Sequence, residues 1–334
     1  MTAPAPHRPR PRALRRRLVL LAAGLLLPIA LVEVALRVFD PMHTAEAVDR
    51  EHFAAAVLVH GEGGDFALRP GAVGTLFGHE ARIGPHGFRT PPIAEPKPAD
   101  VYRILVIGDS VAFGWGVAES DAFPRVMERE LNSDPRAFGG KRVEVIDAAV
   151  PGWGMPHYLR LLETKGLAWQ PDLVFVTLIN NDLTDLLDAQ DDRARPVPVL
   201  LPGWLRWTYL ARVVEQVIAR LGDRQVPADF FLAINVDPQR RRIAGELICQ
   251  GFAAMKARLG DVPLCVMDTI VGDQGERLDD VVACSTRLGF ARIDASLARP
   301  DYREVYAVGA SDDHPNAAGH AELARLAIAW LRSR

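Results

Sequence analysis

From Val101 onward, short apolar runs alternate with segments of helical spacing, and this rhythm limits the fold more than any other feature of the chain. Five runs have the β-branched, apolar character of buried strands: Ile104–Ile107, Val143–Ile146, Leu173–Leu178, Leu264–Met267 and Ala291–Ile293. Between and after them, Phe123–Leu131, Ile243–Leu259 and Pro315–Leu331 repeat apolar residues at helical intervals. In the last of these, Leu323, Leu326, Ala327, Trp330 and Leu331 form a stripe, and Pro315 suits the first helical turn. Strand and helix alternating over more than two hundred residues predict a doubly wound α/β fold with a mostly parallel sheet. Ligands bind such sheets at the carboxyl ends of the strands, so the chemistry is sought there.

The N-terminus is of another kind. Six arginines and no acid precede residue 18, giving +6, so the formal net charge of −3 leaves −9 on the rest of the chain. A nucleic-acid binder carries its basic surface on the folded part, and that class is excluded. Leu18–Val32 is an unbroken apolar run, resumed after Glu33 as Val34-Ala35-Leu36 and ended by Arg37. Its length approaches the ~20 residues that a helix needs to cross a bilayer. The arginines hold the N-terminus in the cytoplasm, which puts everything after Arg37 outside. The rivals are a cleaved signal peptide and a buried soluble helix. Ala45-x-Ala47, the available small-x-small site, lies well beyond the apolar run. The expected organisation is a basic cytoplasmic tail (1–17), a transmembrane signal-anchor (18–38), an extended linker (39–100) and a folded domain (101–334). Phe66-Ala67-Leu68 and Ile83-Gly84 are short strand candidates within the linker, which ends PPIAEPKPAD.

An insertion at 190–231 breaks the alternation. Its amphipathic stretch Leu205–Leu221, with Trp204, Trp207 and Tyr209, is expected as an extra helix packed on the sheet or as a cap over the site. Cys249, Cys265 and Cys284 cannot all pair with one another, and their spacing is not that of a zinc site. They are expected as buried structural thiols.

Three strand-end motifs and one near the C-terminus carry the chemistry. Gly108-Asp109-Ser110 follows the first strand and exposes a hydroxyl for nucleophilic attack, or is a plain βα turn. Gly152 follows the second strand and offers an unobstructed backbone N–H to an oxyanion, or is a turn glycine. Asn180-Asn181-Asp182 follows the third strand, and an asparagine there is an oxyanion donor or a helix cap. Ser311-Asp312-Asp313-His314-Pro315-Asn316 sets a histidine beside carboxylates just before a helix. A carboxylate there fixes the ring tautomer of a histidine base and stabilises the imidazolium, whereas alone the histidine reads as a surface-loop residue.

These motifs in this order resemble the SGNH-type hydrolases, also called the GDSL esterase and lipase family, over roughly Tyr102 to Trp330. The resemblance implies a flavodoxin-like three-layer α/β/α sandwich, here preceded by the transmembrane helix. It implies Ser110 as nucleophile, His314 as general base, and an oxyanion hole of Ser110, Gly152 and Asn181, with no metal or cofactor. Two positions depart from the family pattern. Ser311 stands where an aspartate is frequent, which makes Asp312 the expected orienting acid, with Asp313 as the alternative. Ile179 stands where a glycine precedes Asn-Asp, which leaves Asn180 as the alternative to Asn181. Gly84-Pro85-His86-Gly87-Phe88-Arg89 resembles the lead-in of membrane-anchored bacterial members. His320, in the last helix, reads as structural, and His157 as a candidate for the pocket wall.

The function implied is a serine esterase acting through an acyl-enzyme on an ester-bearing lipid, glycan or small molecule outside the membrane. The alternatives are an O-acyltransferase or deacetylase acting on envelope polysaccharide, and a non-catalytic carbohydrate-binding or assembly module of the same fold.

Overall fold

The computed structural model of the protein describes residues 11–61, 65–134, 138–179, 181–183, 205, 207–222, 238–269, 271, 279–309 and 312–333. Its elements, in chain order, begin with α1 (Pro11–Phe39), α2 (Thr44–Val57), β1 (Leu58–His60), β2 (Phe66–Leu68), β3 (Val73–Leu76) and β4 (His79–Arg82). There follow β5 (Val101–Gly108), α3 (Ser110–Phe113), α4 (Phe123–Asn132), β6 (Arg142–Ala149), α5 (Met155–Leu161) and β7 (Leu173–Ile179). The remainder is α6 (Tyr209–Gly222), α7 (Pro238–Leu259), β8 (Leu264–Thr269), α8 (Asp279–Arg287), β9 (Ala291–Asp294), α9 (Tyr302–Val305) and α10 (Ala317–Arg332). The chain divides into two units, one of Met1–Ala45 with Pro196–Gln225 and one of Glu46–Arg195 with Val226–Arg334.

The larger unit is built on a five-stranded parallel sheet in the order β6-β5-β7-β8-β9. Its five strands contain the five runs expected from the sequence, each extended at one or both ends. β7 and β8 are buried at every position, because helices cover both faces of the sheet. α4 packs with α10, while α5 and α8 both pack against α7. Right-handed crossovers require this division: the step from β5 to β6 runs one way and every later step runs the other, so their helices fall on opposite faces. The result is the expected flavodoxin-like sandwich, with the strand order reversing between β5 and β7. A reversal of that kind opens a crevice at the carboxyl ends of the two strands.

Three expectations need correction. The stretch 39–100, read as an extended linker, carries a helix and two antiparallel hairpins, β1–β2 and β3–β4. Phe53 and Val57, one turn apart on α2, are buried with Leu68, Leu76, Ala81, Ile83 and Phe88 in the same core as the sheet. These apolar residues are too sparse to show a period, and they are buried against a neighbour distant in sequence. The second correction concerns the thiols. Cys249 on α7 and Cys284 on α8 form a disulfide with an S–S distance of 2.05 Å, while Cys265 is free and buried. Spacing alone cannot reveal this pair, because it depends on which faces of α7 and α8 meet. Third, Pro315 lies ahead of the helix rather than in its first turn. Asn316 is the cap of α10 and accepts the N–H groups of Ala318 (2.9 Å) and Gly319 (3.1 Å).

In the smaller unit, the apolar side chains of α1 are exposed from Leu18 to Phe39, apart from half-buried Leu36. Its 26-residue segment Leu14–Phe39 is long and apolar enough to cross a membrane, spanning about 39 Å at 1.5 Å per residue. The helix of the insertion, α6, belongs to this unit and packs along α1. Glu33 caps it, accepting the N–H groups of Tyr209 (3.0 Å) and Leu210 (2.9 Å). Arg37 bonds Glu33 (2.7 Å) and the Trp207 carbonyl (2.9 Å) and lies over the Tyr209 ring. Two ionisable side chains at the end of an apolar helix are thereby matched to the start of α6. Trp204 and most of the remaining insertion lie outside the described residues.

Candidate active site

Ser110 opens α3 directly at the carboxyl end of β5. The turn is sharp because Gly108 ends the strand: a Cβ there would stand 1.8 Å from Thr177 Oγ1 and 2.8 Å from the Ala112 Cβ. Asp109 caps α3 by accepting the Val111 N–H (3.1 Å). The far end of α3 is tied down by the lead-in motif. Arg89, 1% exposed, donates to the carbonyls of Phe113, Gly114 (2.8 Å) and Val117 (2.9 Å). Its neighbour Phe88 is buried in the core.

His314 sits in the loop between α9 and α10. The loop is pinned on both sides: Val308 donates its N–H to the His314 carbonyl (2.9 Å), and Asn316 donates to the Tyr306 carbonyl (2.6 Å). His314 Nε2 lies 2.7 Å from Ser110 Oγ, and its Nδ1 lies 2.5 Å from Asp312 Oδ1. The tautomer that satisfies both contacts carries its proton on Nδ1 and accepts the serine hydroxyl at Nε2. The second oxygen of Asp312 accepts Trp115 Nε1–H and an Arg50 Nη1–H, each at 3.1 Å. Burial pushes the Asp312 carboxyl up. The hydrogen bonds from His314 and Trp115 outweigh it and hold the group well below the usual carboxylate range. Asp313 faces the other way, its carboxylate on Arg303 (2.7 Å) and its carbonyl accepting the Tyr302 hydroxyl (2.6 Å). Ser311 and Asn180 lie outside the described residues.

Gly152 and Asn181 meet Ser110 and His314 around one cavity of about 290 Å³. Gly152 holds a left-handed φ of 84°, which favours glycine, and a Cβ there would press on the Phe66 ring at 3.3 Å. Asn181 Nδ2 donates to Asp109 Oδ2 at 3.2 Å, and the Ser110 hydroxyl lies 3.3 Å from the same oxygen. Burial pushes the Asp109 carboxyl up, against the hydrogen bonds that it accepts. Next to Asn181, buried Asp182 closes the turn after β7, accepting the Ile179 N–H (2.9 Å) and the Tyr158 hydroxyl (3.0 Å). A larger hollow of about 580 Å³ runs along α7 past Arg241, Arg242 and Glu246 and holds none of these groups.

The two spare histidines are structural in their contacts. His320 is fully buried, accepts the Phe123 N–H at Nδ1 (3.3 Å), and is pushed by burial down to about 3, so it stays neutral. His157 is not part of the cavity wall; its ring stacks on Trp153 at 5.5 Å. Among the described residues, no three His, Cys, Asp or Glu side chains gather as a metal site.

Sequence reasoning missed the side of the cavity supplied by the lead-in. Phe53, Ala54 and Leu58 line it, Arg50 reaches Asp312, and Trp115 links the two. None of these belongs to a motif, and Trp115, five residues after Ser110, was the one within reach of local inspection.

The sequence profile of the GDSL-like Lipase/Acylhydrolase family matches residues 106–322. A search of curated proteins found no match. Among solved structures, similar chains include LAE5, an α/β hydrolase from the metagenome of Lake Arreo, Spain (14% identity, TM-score 0.43), with 69% of this chain and 94% of that one covered. Another is Axe2, an acetylxylan esterase from Geobacillus stearothermophilus (12% identity, TM-score 0.42), with 69% and 94% covered. A third is a two-domain esterase active on acetylated mannans (13% identity, TM-score 0.42), with 70% and 50% covered.

Proposed function

The chain belongs to the GDSL-like lipase/acylhydrolase family and is an ester-bond hydrolase, and on that premise we propose that it is a serine esterase working through a Ser110–His314–Asp312 triad and an acyl-enzyme. The observation that carries the reading is the unbroken hydrogen-bonded chain from Ser110 Oγ through the His314 ring to Asp312. His314 takes the Ser110 proton as the oxygen attacks the ester carbonyl, and Asp312 stabilises the imidazolium that results. The oxyanion forms beside the Ser110 and Gly152 N–H groups and the Asn181 carboxamide. His314 then returns the proton to the departing alkoxide, which leaves as the alcohol. Water, deprotonated by the same ring, attacks the acyl-enzyme and releases the acid. The cavity walls of Phe53, Leu58 and Trp115 suit the apolar part of an acyl ester.

The reading extends to location. α1 serves as a retained membrane anchor through residues 18–38, with the arginine-rich N-terminus inside and the catalytic unit outside. The Cys249–Cys284 disulfide supports export, because such bonds persist in oxidising compartments.

The test is to treat the full chain, in detergent, with a fluorophosphonate probe and to map the adduct by mass spectrometry. p-Nitrophenyl acetate hydrolysis is followed in parallel. Labelling at Ser110 that is lost in Ser110→Ala and His314→Ala is the expected result. A folded protein that takes up no probe would refute the triad and favour the non-catalytic binding module.

A further inference from the structure

The segment that matches the family profile begins at residue 106, yet one side of the site comes from α2, half a hundred residues earlier. Arg50 Nη1 lies 3.1 Å from Asp312 Oδ2, the carboxylate oxygen not used by His314. Its side chain is one-third exposed, whereas that of Asp312 is 5% exposed. One turn along the helix, Phe53 packs edge-on against Trp115 at 5.5 Å. Trp115 donates to the same Asp312 oxygen and lies 5.4 Å from the His314 ring. α2 therefore reaches the acid twice, by a charge and through a buttressed indole.

We propose that Arg50 is a positioning residue of the active site, holding Asp312 on the His314 ring and keeping the base neutral to lower pH. This rests on the triad reading above. The physics has two parts. A guanidinium on the outer oxygen fixes the carboxylate plane, so that its inner oxygen stays on Nδ1. Its positive charge also opposes a second positive charge on the imidazole, one carboxylate away, and so disfavours protonation of the base in the resting enzyme. The orienting effect speeds the reaction, and the charge moves the acid limb of the pH profile downward.

Other charged groups also face this pair. Asp109 approaches from the α3 turn, and neutral His320 from α10. Tyr302 lies on α9, where Arg303 is paired with Asp313. Glu46, on α2, lies against Gly309 of the same loop. All of these remain when Arg50 alone is changed, so a shift of the limb reports on Arg50.

The experiment measures the second-order rate of fluorophosphonate labelling at Ser110 from pH 5 to 9 on the full chain in detergent. The proteins are wild type, Arg50→Lys, Arg50→Gln and Arg50→Met. Methionine keeps an apolar stem and serves if the glutamine variant fails to fold. Arg325→Gln, at an exposed ion pair with Glu322, is the control. The neutral variants are expected to raise the acid-side midpoint by roughly half to one pH unit, the scale of a partly screened charge at this range. They are also expected to lower the plateau rate several-fold. Arg50→Lys is expected to restore most of the midpoint. A merely structural role would lower the amount of labelled protein and leave the midpoint where it was. An unchanged midpoint in a folded neutral variant overturns the proposal while the wild-type profile still supports the triad. A wild type that takes up no probe instead overturns the triad reading on which the proposal stands.

Discussion

Replacing Asp147 with asparagine sets burial against charge beside the candidate site. Asp147 lies near the end of β6, five residues before Gly152, and is 1% exposed. One carboxylate oxygen accepts the Ala149 N–H at 3.3 Å, and the other has no hydrogen-bond partner among the described residues. Burial pushes the carboxyl up to about 7, against the nearby charges of Arg125 and Arg89. In the unfolded chain an aspartate titrates near 3.9. Below about pH 4 the group is protonated in both states and costs nothing. Between about 4 and 7 the unfolded chain releases the proton while the folded protein keeps it. The folded state then binds more protons, and stability falls as pH rises. The full gap is worth about 4 kcal/mol at about 1.4 kcal/mol per pH unit. Asparagine cannot ionise and escapes this loss. The assay is urea unfolding of both proteins, full-length in detergent, followed by near-ultraviolet circular dichroism from pH 4.5 to 8. The stability of Asp147→Asn relative to wild type is expected to improve by roughly 3–4 kcal/mol across that range. A flat difference, or one that worsens with pH, would refute the reasoning. The latter would mean that Arg89 and Arg125 hold the group ionised.

Asn181→Ala removes one side-chain donor from the proposed oxyanion site and is expected to lower p-nitrophenyl acetate turnover by roughly 10²–10³ with KM little changed. A fall confined to KM would assign Asn181 to binding. Arg89→Met leaves the carbonyls of Phe113, Gly114 and Val117 without their buried donor. A loss of roughly 3–5 kcal/mol in denaturant unfolding is expected, together with slower labelling at Ser110. Replacing Cys249 and Cys284 by serine opens a cross-link across 35 residues and is expected to cost about 4 kcal/mol. Wild type in reductant should then unfold at the same urea concentration as the double variant.

The sheet was legible because its strands are buried on both faces, so each is a continuous apolar run, and Gly, Pro and Asp mark the ends. A histidine beside carboxylates marked Asp312 and His314 in the loop before α10, and the logic of strand ends drew attention to Ser110, Gly152 and Asn181. In a parallel sheet, residues just past the carboxyl ends converge whatever their separation in sequence. Apart from the short strand Phe66–Leu68, the lead-in was not legible, since its buried residues pack on a core already formed by others and keep no period of their own. α6 was read correctly as amphipathic, but what it packs against is set by Glu33 and Arg37, more than 170 residues earlier.

The sequence by itself determined the layer architecture and the apolar N-terminal helix, and through its resemblance to a family it drew attention to Ser110, Gly152, His314 and the pairs Asn180-Asn181 and Asp312-Asp313. The first two follow from local periodicity and chain order, and the last from motifs whose order resembles that of the family. The tertiary structure alone decided that Asp312 rather than Asp313 meets the ring, that Cys249 pairs with Cys284, and that Arg50 reaches across to the acid. Each depends on which faces of separate elements come into contact, and side-chain direction at long range is set by packing that no local pattern encodes.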